Sequence, residues 1–474
     1  MSVKKNFLYN AFYQILIMIL PLLTAPYLAR TVGAEGLGTY AYTFSIANYF
    51  VLIAMLGVNN YGNRSIAMVR SDKSRLSKTF WEIYTLQLVM SVIIAVVYII
   101  YVMLFVKNGR LIFLLQFIYL LSAALDINWF FFGLEQFKIT VTRNTVVKVL
   151  TVISVFLFVK NDADLWKYTL IMASGILFSQ CALWPFVHRY VSFVRVSLKR
   201  VLVHLKPNLV LFVPVIAISI YKILDKIMLG KISTIAQVGF FDNADKIINV
   251  PLSLVTALGT VMLPRMSNLI SQGMEEQGYR YIRNSIYFIM FLSSAMAFGL
   301  AGIAPEFAPV FFGRSFAICG LLIAIMAPTI IFISWANVIR MQYLIPNKKD
   351  KIYVISVLLG AIINIIVNIL LIPRMGAVGT AIGTLCAEAS VMIYQTVMVR
   401  KELPIGKYVQ YSASFPIFGI AMYYVVRTIG NHMGIHIMTI VMQVIAGGTI
   451  YLVLCAAYIW SIMAKRKRSM PKRK

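Results

Sequence analysis

Two trios of charged residues stand inside otherwise apolar sequence, Lys222, Asp225 and Lys226 first, then Asp242, Asp245 and Lys246. Spacings of three and four place each trio on one face of a helix, so each makes a charged stripe. A lysine ammonium is a compact, flexible point charge that holds an anion and releases it without the bidentate lock of an arginine. A purely structural cluster competes with that chemistry: Asp225, Asp242 and Asp245 would simply neutralise the lysines, because buried ion pairs are often no better than neutral for stability.

Glu388 lies deep in another apolar run, where a desolvated carboxyl can take up and release a proton or a small cation as its surroundings change. Asp126 is its candidate companion. The alternative for both is a carboxyl hydrogen-bonded to a neighbouring helix. Three further cations qualify for anion contact. Lys148 lies within an apolar run and competes with simple snorkelling, while Arg64 and Arg265 border apolar runs and compete with ordinary anchoring beside a membrane.

The elements that must position these groups are membrane helices. The chain has 474 residues, 60% hydrophobic and 13% charged, with a mean hydropathy of +0.83, which is too apolar for a soluble globular protein of this length. It reads as an all-α, polytopic membrane protein. Stretches of the ~20 residues needed to cross a ~30 Å hydrocarbon layer recur about fourteen times. They fall at 7–29, 40–58, 80–106, 111–133, 141–159, 167–187, 208–230, 238–263, 284–303, 316–339, 352–372, 377–398, 408–426 and 437–463, each boundary good to about three residues.

The net charge of +28 is concentrated in every second loop and in the tail 465–474. That pattern places the N- and C-termini in the cytoplasm of a bacterial cell, and it favours lipid topology over nucleic-acid binding. Trp81, Trp129, Trp166, Trp184 and Trp460 fall near span ends, where amphipathic rings settle at the interface.

Several functions are excluded by what the loops cannot hold. None is long enough for a catalytic domain, and no G-x-x-x-x-G-K-[ST] sequence occurs to hydrolyse ATP. The four cysteines have no paired spacing, and His432 with His436 lacks an acidic or cysteine partner, so no disulfide framework, metal site or cofactor is expected. Gly33 to Gly38 has the glycine content of a phosphate cradle but no following lysine, and is expected to be a tight turn between spans.

The chain also repeats itself at an offset of about 200 residues, the usual way of building two transporter lobes. Gly38-Thr-Tyr40, Leu56-Gly57 and Arg64 correspond to Gly239-Phe-Phe241, Leu258-Gly259 and Arg265. Each copy holds six spans, an even number, so both copies share one orientation around a central cavity. The expected division is a first lobe over 1–206, a second over 207–402, and two additional spans with the basic tail over 403–474. Pro21, Pro26, Pro251 and Gly259 are expected to bend their helices and serve rocking of the lobes.

Four ordered stretches carry a family likeness. They are Tyr27 through Tyr40 continuing to Leu56 through Arg64; Asp126 through Lys138 with Arg143-Asn144; Tyr221 through Gly230 with Val238 through Asp242; and Asn364 through Pro373 with Gly376 to Glu388. Together they resemble the Wzx-type polysaccharide flippases, of the superfamily that also holds the lipid II flippases and the MATE drug exporters. The resemblance implies a two-lobed transporter that moves an undecaprenyl-diphosphate-linked oligosaccharide between leaflets by alternating access. Lys222, Lys226 and Lys246 would then meet the diphosphate, with Lys148, Arg64 and Arg265 as further contacts, and Glu388 with Asp126 would couple export to H+ or Na+. Partners would be the lipid-linked substrate, membrane lipids and polysaccharide polymerase machinery. Lipid II or drug export on the same scaffold stays open, as does, from another class, a membrane-embedded lipid-modifying enzyme.

Overall fold

The computed structural model describes residues 20–469, apart from the side chains of 213–215, 217, 218, 220–222 and 462–469. Among the described residues there is no strand. Helices follow one another as α1 (Gly33–Met55), α2 (Val58–Val69), α3 (Lys73–Phe105), α4 (Arg110–Leu125), α5 (Asn128–Gly133), α6 (Phe137–Phe158), α7 (Leu165–Cys181), α8 (Trp184–Val187), α9 (Leu198–Val203), α10 (Leu205–Ile232) and α11 (Ile235–Ser271). They continue as α12 (Glu275–Phe311), α13 (Ile318–Met326), α14 (Thr329–Ile339), α15 (Asp350–Met375), α16 (Ala377–Val399), α17 (Ile405–Ser412), α18 (Ser414–Met433) and α19 (Ile437–Ser469).

Eleven described helices are long and apolar enough to span a membrane, or twelve when the bent pair at Arg314–Met326 and Thr329–Leu344 is one span. These match twelve of the fourteen expected segments. Of the other two, 7–29 is described only from residue 20 onward, and 208–230 falls on the 28-residue helix α10. The helices carry apolar stripes on their outer faces: Val89, Ile93, Val96, Val97 and Ile100 on α3, and Ile355, Leu358, Ile362, Ile366 and Ile369 on α15 are all exposed. Exposed apolar residues at helical spacing are what lipid contact demands.

The chain divides into two compact units, 1–239 and 240–474. In the first, α1 packs on α4, α3 and α10, and α7 packs on α4 and α6. Its core is aromatic, with Phe80, Trp129, Phe130 and Phe131 wholly buried. Trp129 therefore turns into the core and not to an interface as its span-end position suggested, while Trp184 is half-buried. The Trp129 indole donates to Gln87 Oε1 (2.9 Å), and the Trp184 indole to the Leu125 carbonyl (3.1 Å). Gln87 in turn donates to the Ala123 and Asp126 carbonyls (2.6 and 2.8 Å), satisfying groups freed where α4 breaks into α5.

The expected turn over Gly33 to Gly38 reduces to a single residue. Gly33 has φ +73 and opens α1, which then runs helically through Gly38. A Cβ on Gly38 would lie 1.9 Å from the Ile235 carbonyl oxygen, and one on Gly239 would lie 2.1 Å from the Ala34 carbonyl oxygen. The two glycines that the repeat equates thus meet each other reciprocally, each against the carbonyl four residues before its counterpart. Further along, the copies diverge. Leu56 (φ +45) and Gly57 (φ +77) break the chain between α1 and α2, whereas Leu258 and Gly259 lie inside unbroken α11.

In the second unit, α12 packs on α18, α13, α14 and α19, and α15 pairs with α16. Pro251 and Pro264 are carried within α11 without ending it. A 41° bend lies around Ala327 and Pro328, between α13 and α14. After α14 the helix widens into a π-helical turn, Arg340–Leu344.

Candidate functional site

The candidate residues distribute over both units, and each unit is taken by itself. In the first, α10 carries Asp225, which is buried, and Lys226, which is half-buried. The side chain of Lys222 lies outside the described residues. Ser219, one turn and a half before Asp225 on α10, receives the Tyr49 hydroxyl on its carbonyl oxygen (3.2 Å), so α1 supports the start of the charged stripe. Lys148 is half-buried on α6, and Arg64 is exposed on α2.

Asp126 has a definite local task. Its Oδ1 accepts from the Asn128 backbone N–H (2.9 Å) and from Asn128 Nδ2 (2.7 Å), closing the turn between α4 and α5. Asn128 Oδ1 accepts from Arg143 Nη2 (2.8 Å), and Arg143 Nη1 reaches Gln180 Oε1 (3.2 Å) and the Ser179 carbonyl. One buried guanidinium therefore joins α5, α6 and α7. Arg143 stands two residues inside the expected span 141–159, where a charge looks like an ordinary span end, so the sequence does not mark it as an intramembrane charge.

In the second unit, Lys246 forms an ion pair with Asp242 one turn earlier on α11 (2.7 Å), with the lysine side chain 34% exposed. Its charge is thus partly neutralised within its own stripe. Asp245 accepts from Asn249 Nδ2 (2.9 Å). Arg265 is exposed and lies over the Tyr281 ring, with Nη2 3.3 Å from the hydroxyl oxygen.

Glu388 is buried on α16, in the helix pair that holds the unit's densest polar seam. There Asn368 Nδ2 donates to Asn364 Oδ1 (3.1 Å), and Gln395 Nε2 donates to Ser356 Oγ (2.8 Å). Gly383 is what lets the seam close, since a Cβ there would stand 2.2 Å from Asn368 Oδ1. The stretches around Asn364 and Glu388, singled out together in the sequence, are packed side by side.

Two buried charge clusters escaped the sequence. Glu82 (8% exposed) meets His204 Nε2 at 3.1 Å, and His204 Nδ1 meets the Tyr61 hydroxyl at 2.7 Å. Glu306 receives Arg427 Nη1 (2.7 Å) and Gln443 Nε2 (3.0 Å) on one oxygen, drawing α12, α18 and α19 together. Both Glu306 and Arg427 fall within three residues of a drawn span end, where a charge looks ordinary. Among the described residues no three His, Cys, Asp or Glu side chains gather to hold a metal.

Among the described residues the arrangement offers lysines and arginines on several helices, a buried carboxyl at Glu388, and polar seams between helices. Residues 3–270, more than half of the chain, match the family described as "Polysaccharide biosynthesis protein". The chain is 26% identical over 389 residues to the putative O-antigen transporter of Shigella dysenteriae, covering 81% of this chain and 96% of that one. It is 25% identical over 408 residues to the putative O-antigen transporter of Escherichia coli (strain K12), covering 85% and 98%. Among solved structures, the lipid II flippase MurJ in an inward closed conformation aligns over 98% of this chain and 100% of that one, with a TM-score of 0.76 at 15% identity.

Proposed function

We propose that this chain, which belongs to the polysaccharide biosynthesis protein family, is a flippase that moves polyprenyl-diphosphate-linked oligosaccharide repeat units across the bacterial cytoplasmic membrane by alternating access, for surface polysaccharide synthesis. The observation that carries this reading is the similarity, over 81% and 85% of this chain, to two proteins named as putative O-antigen transporters. The likeness to the lipid II flippase, at 15% identity, speaks to the fold alone. Both termini face the cytoplasm, as the alternation of basic loops supports. The partners are the lipid-linked substrate, membrane lipids and the polymerase that receives the exported unit.

The test is leaflet-resolved labelling of an undecaprenyl-diphosphate-linked oligosaccharide in proteoliposomes, with and without the protein. Transfer that does not depend on the protein would sink the reading, and a chemically altered product would point to an enzyme instead.

Within this reading the diphosphate is carried by Lys222, Lys226 and Lys246, helped by Lys148 and, at the cytoplasmic mouth, Arg64 and Arg265. Lys246 must exchange Asp242 for phosphate, and a charge-assisted bond from a lysine to the diphosphate contributes about 1.5–3 kcal/mol. Lys226→Ala is therefore expected to lower flux per folded protein about tenfold or more, and Lys222→Ala to act in the same direction. Normal flux from both variants at normal expression would refute the assignment.

Glu388, with Asp126 as the secondary candidate, couples transport to H+ or Na+. Glu388→Gln keeps size and hydrogen bonding but removes the charge that titrates or binds a cation. Its flux is expected to stay the same when the ion gradient is collapsed, while wild-type flux falls. A variant that still responds like wild type to the gradient would remove Glu388 from coupling.

A further inference from the structure

A cavity at one end of the second unit is used by none of these roles. It encloses about 370 Å³, within the range of roughly 300–1,000 Å³ typical of small-molecule sites. Its polar walls are Glu275 and Tyr279 from the start of α12, Gln342 and Tyr343 from the π-helical turn, and Lys349 and Glu402 from the adjoining loops. A π-helical turn is a departure from regular helix that clusters at functional sites.

Gln342 is fully buried, yet neither its Oε1 nor its Nε2 has a hydrogen-bond partner. A buried amide with both ends unmet is costly to fold, and one set just behind a cavity wall is met when its side chain turns toward a ligand that both donates and accepts. Glu402 accepts from the Lys349 ammonium and from the Tyr343 hydroxyl. Those partners, Lys349 foremost, hold its carboxyl below the usual carboxylate range, so it is charged at neutral pH. Glu275 adds a second carboxylate. Among the lining side chains one lysine stands with two carboxylates, groups that donate to and accept from hydroxyls.

A neutral, hydroxyl-rich molecule satisfies all of these groups at once. Its hydroxyls donate to the carboxylates and pair with the Gln342 amide once that side chain turns toward them, while the half-buried Tyr279 ring offers an apolar face to a pyranose C–H surface. We propose that this cavity is a saccharide-binding site, and that it holds a sugar of the lipid-linked oligosaccharide at the cytoplasmic side before the diphosphate moves. The second clause rests on the flippase reading and its topology. A free cytosolic saccharide shares the same chemistry and is separated from the lipid-linked one by the test.

The experiment uses the full chain in nanodiscs and proteoliposomes and compares wild type with Gln342→Leu. Leucine fills the same space and removes the unmet amide, so thermal stability should rise or hold. The first arm is saturation-transfer NMR with the methyl glycosides of glucose, galactose, N-acetylglucosamine and rhamnose. The second is the flipping assay with undecaprenyl-diphosphate-linked oligosaccharide. Glycoside signals lost in the variant, together with an apparent KM raised about tenfold at unchanged maximal rate, assign the site to the substrate's sugar. Loss of glycoside binding with unchanged KM assigns it to a free saccharide. No glycoside signal in wild type, with a variant that is stable and flips normally, overturns the proposal. If wild type flips nothing, the flippase reading fails, and the NMR arm still decides the site. Should Gln342→Leu fold poorly, Glu275→Gln at the exposed rim must show the same loss of binding or the proposal falls.

Discussion

Replacing Gly38 by alanine is expected to destabilise the protein by on the order of 3 kcal/mol or more, the upper end of overpacking costs, and to take transport with it. The new methyl would lie 1.9 Å from the Ile235 carbonyl oxygen and 2.8 Å from its carbon, and neither atom belongs to a side chain that can swing aside. Helix α1 must move away from the start of α11, and the contacts flanking Gly38 are lost with it. Gly239→Ala meets the Ala34 carbonyl in the same way and should cost as much. The pair should be far from additive, because once the helices have parted the second methyl finds room.

Gly448→Ala in α19 is the control, since a Cβ there meets nothing within 4 Å. That change should be neutral or stabilise by up to about 1 kcal/mol through helix propensity. Thermal midpoints of purified protein, read alongside flux per folded molecule, test all four variants. A Gly38→Ala protein with a wild-type midpoint would show that this crossing is not tight.

That reciprocal contact also marks how far the sequence carried. Gly38 and Gly239 were equated by spacing alone, and the structure places each at the other's helix, a relation the repeat implied but could not locate. The spans were legible because hydrocarbon forbids charge over ~20 residues, a rule that acts locally and leaves its trace locally. Trp129 was misplaced because position along a span says nothing about which way a ring faces. Its indole turns inward to Gln87, whose need for a donor arises only when α3 packs against the break between α4 and α5.

The candidate site was legible in the same partial way. Stripes at three and four residues put Lys226 beside Asp225 and Lys246 beside Asp242, and the Lys246 pair is present. What binds across helices was not legible. Arg143 needed Gln180 and Asn128 from other segments, and Gln342 is conspicuous only because a cavity stands beside an amide that nothing meets. Absence of a partner leaves no mark in a sequence.

Arg427→Ala is expected to cost about 3–5 kcal/mol, the penalty for leaving a buried charge without its counter-ion. The Glu306 side chain is only 6% exposed, and its Oε2 takes both the guanidinium at 2.7 Å and the Gln443 amide at 3.0 Å. Without Arg427 the carboxylate keeps one neutral donor in a site that water scarcely reaches. The reverse truncation is milder. In Glu306→Gln the guanidinium, 20% exposed, still donates to the Gly302 carbonyl (3.1 Å) and to Asn431 Oδ1 (2.7 Å), so a loss of about 1–3 kcal/mol is expected. Combining Glu306→Gln with Arg427→Met removes both charges and keeps much of the volume, and should recover most of the stability lost in Arg427→Ala. The order of the three thermal midpoints is the discriminating result. If Arg427→Ala were no worse than Glu306→Gln, the pair would behave as a solvated surface contact, and the junction of α12, α18 and α19 would owe its closeness to other groups. Gly430 and Gly302 would be the first of these, because a Cβ on Gly430 would stand 2.7 Å from Glu306 Oε1 and one on Gly302 would stand 2.7 Å from Val426 Cγ1.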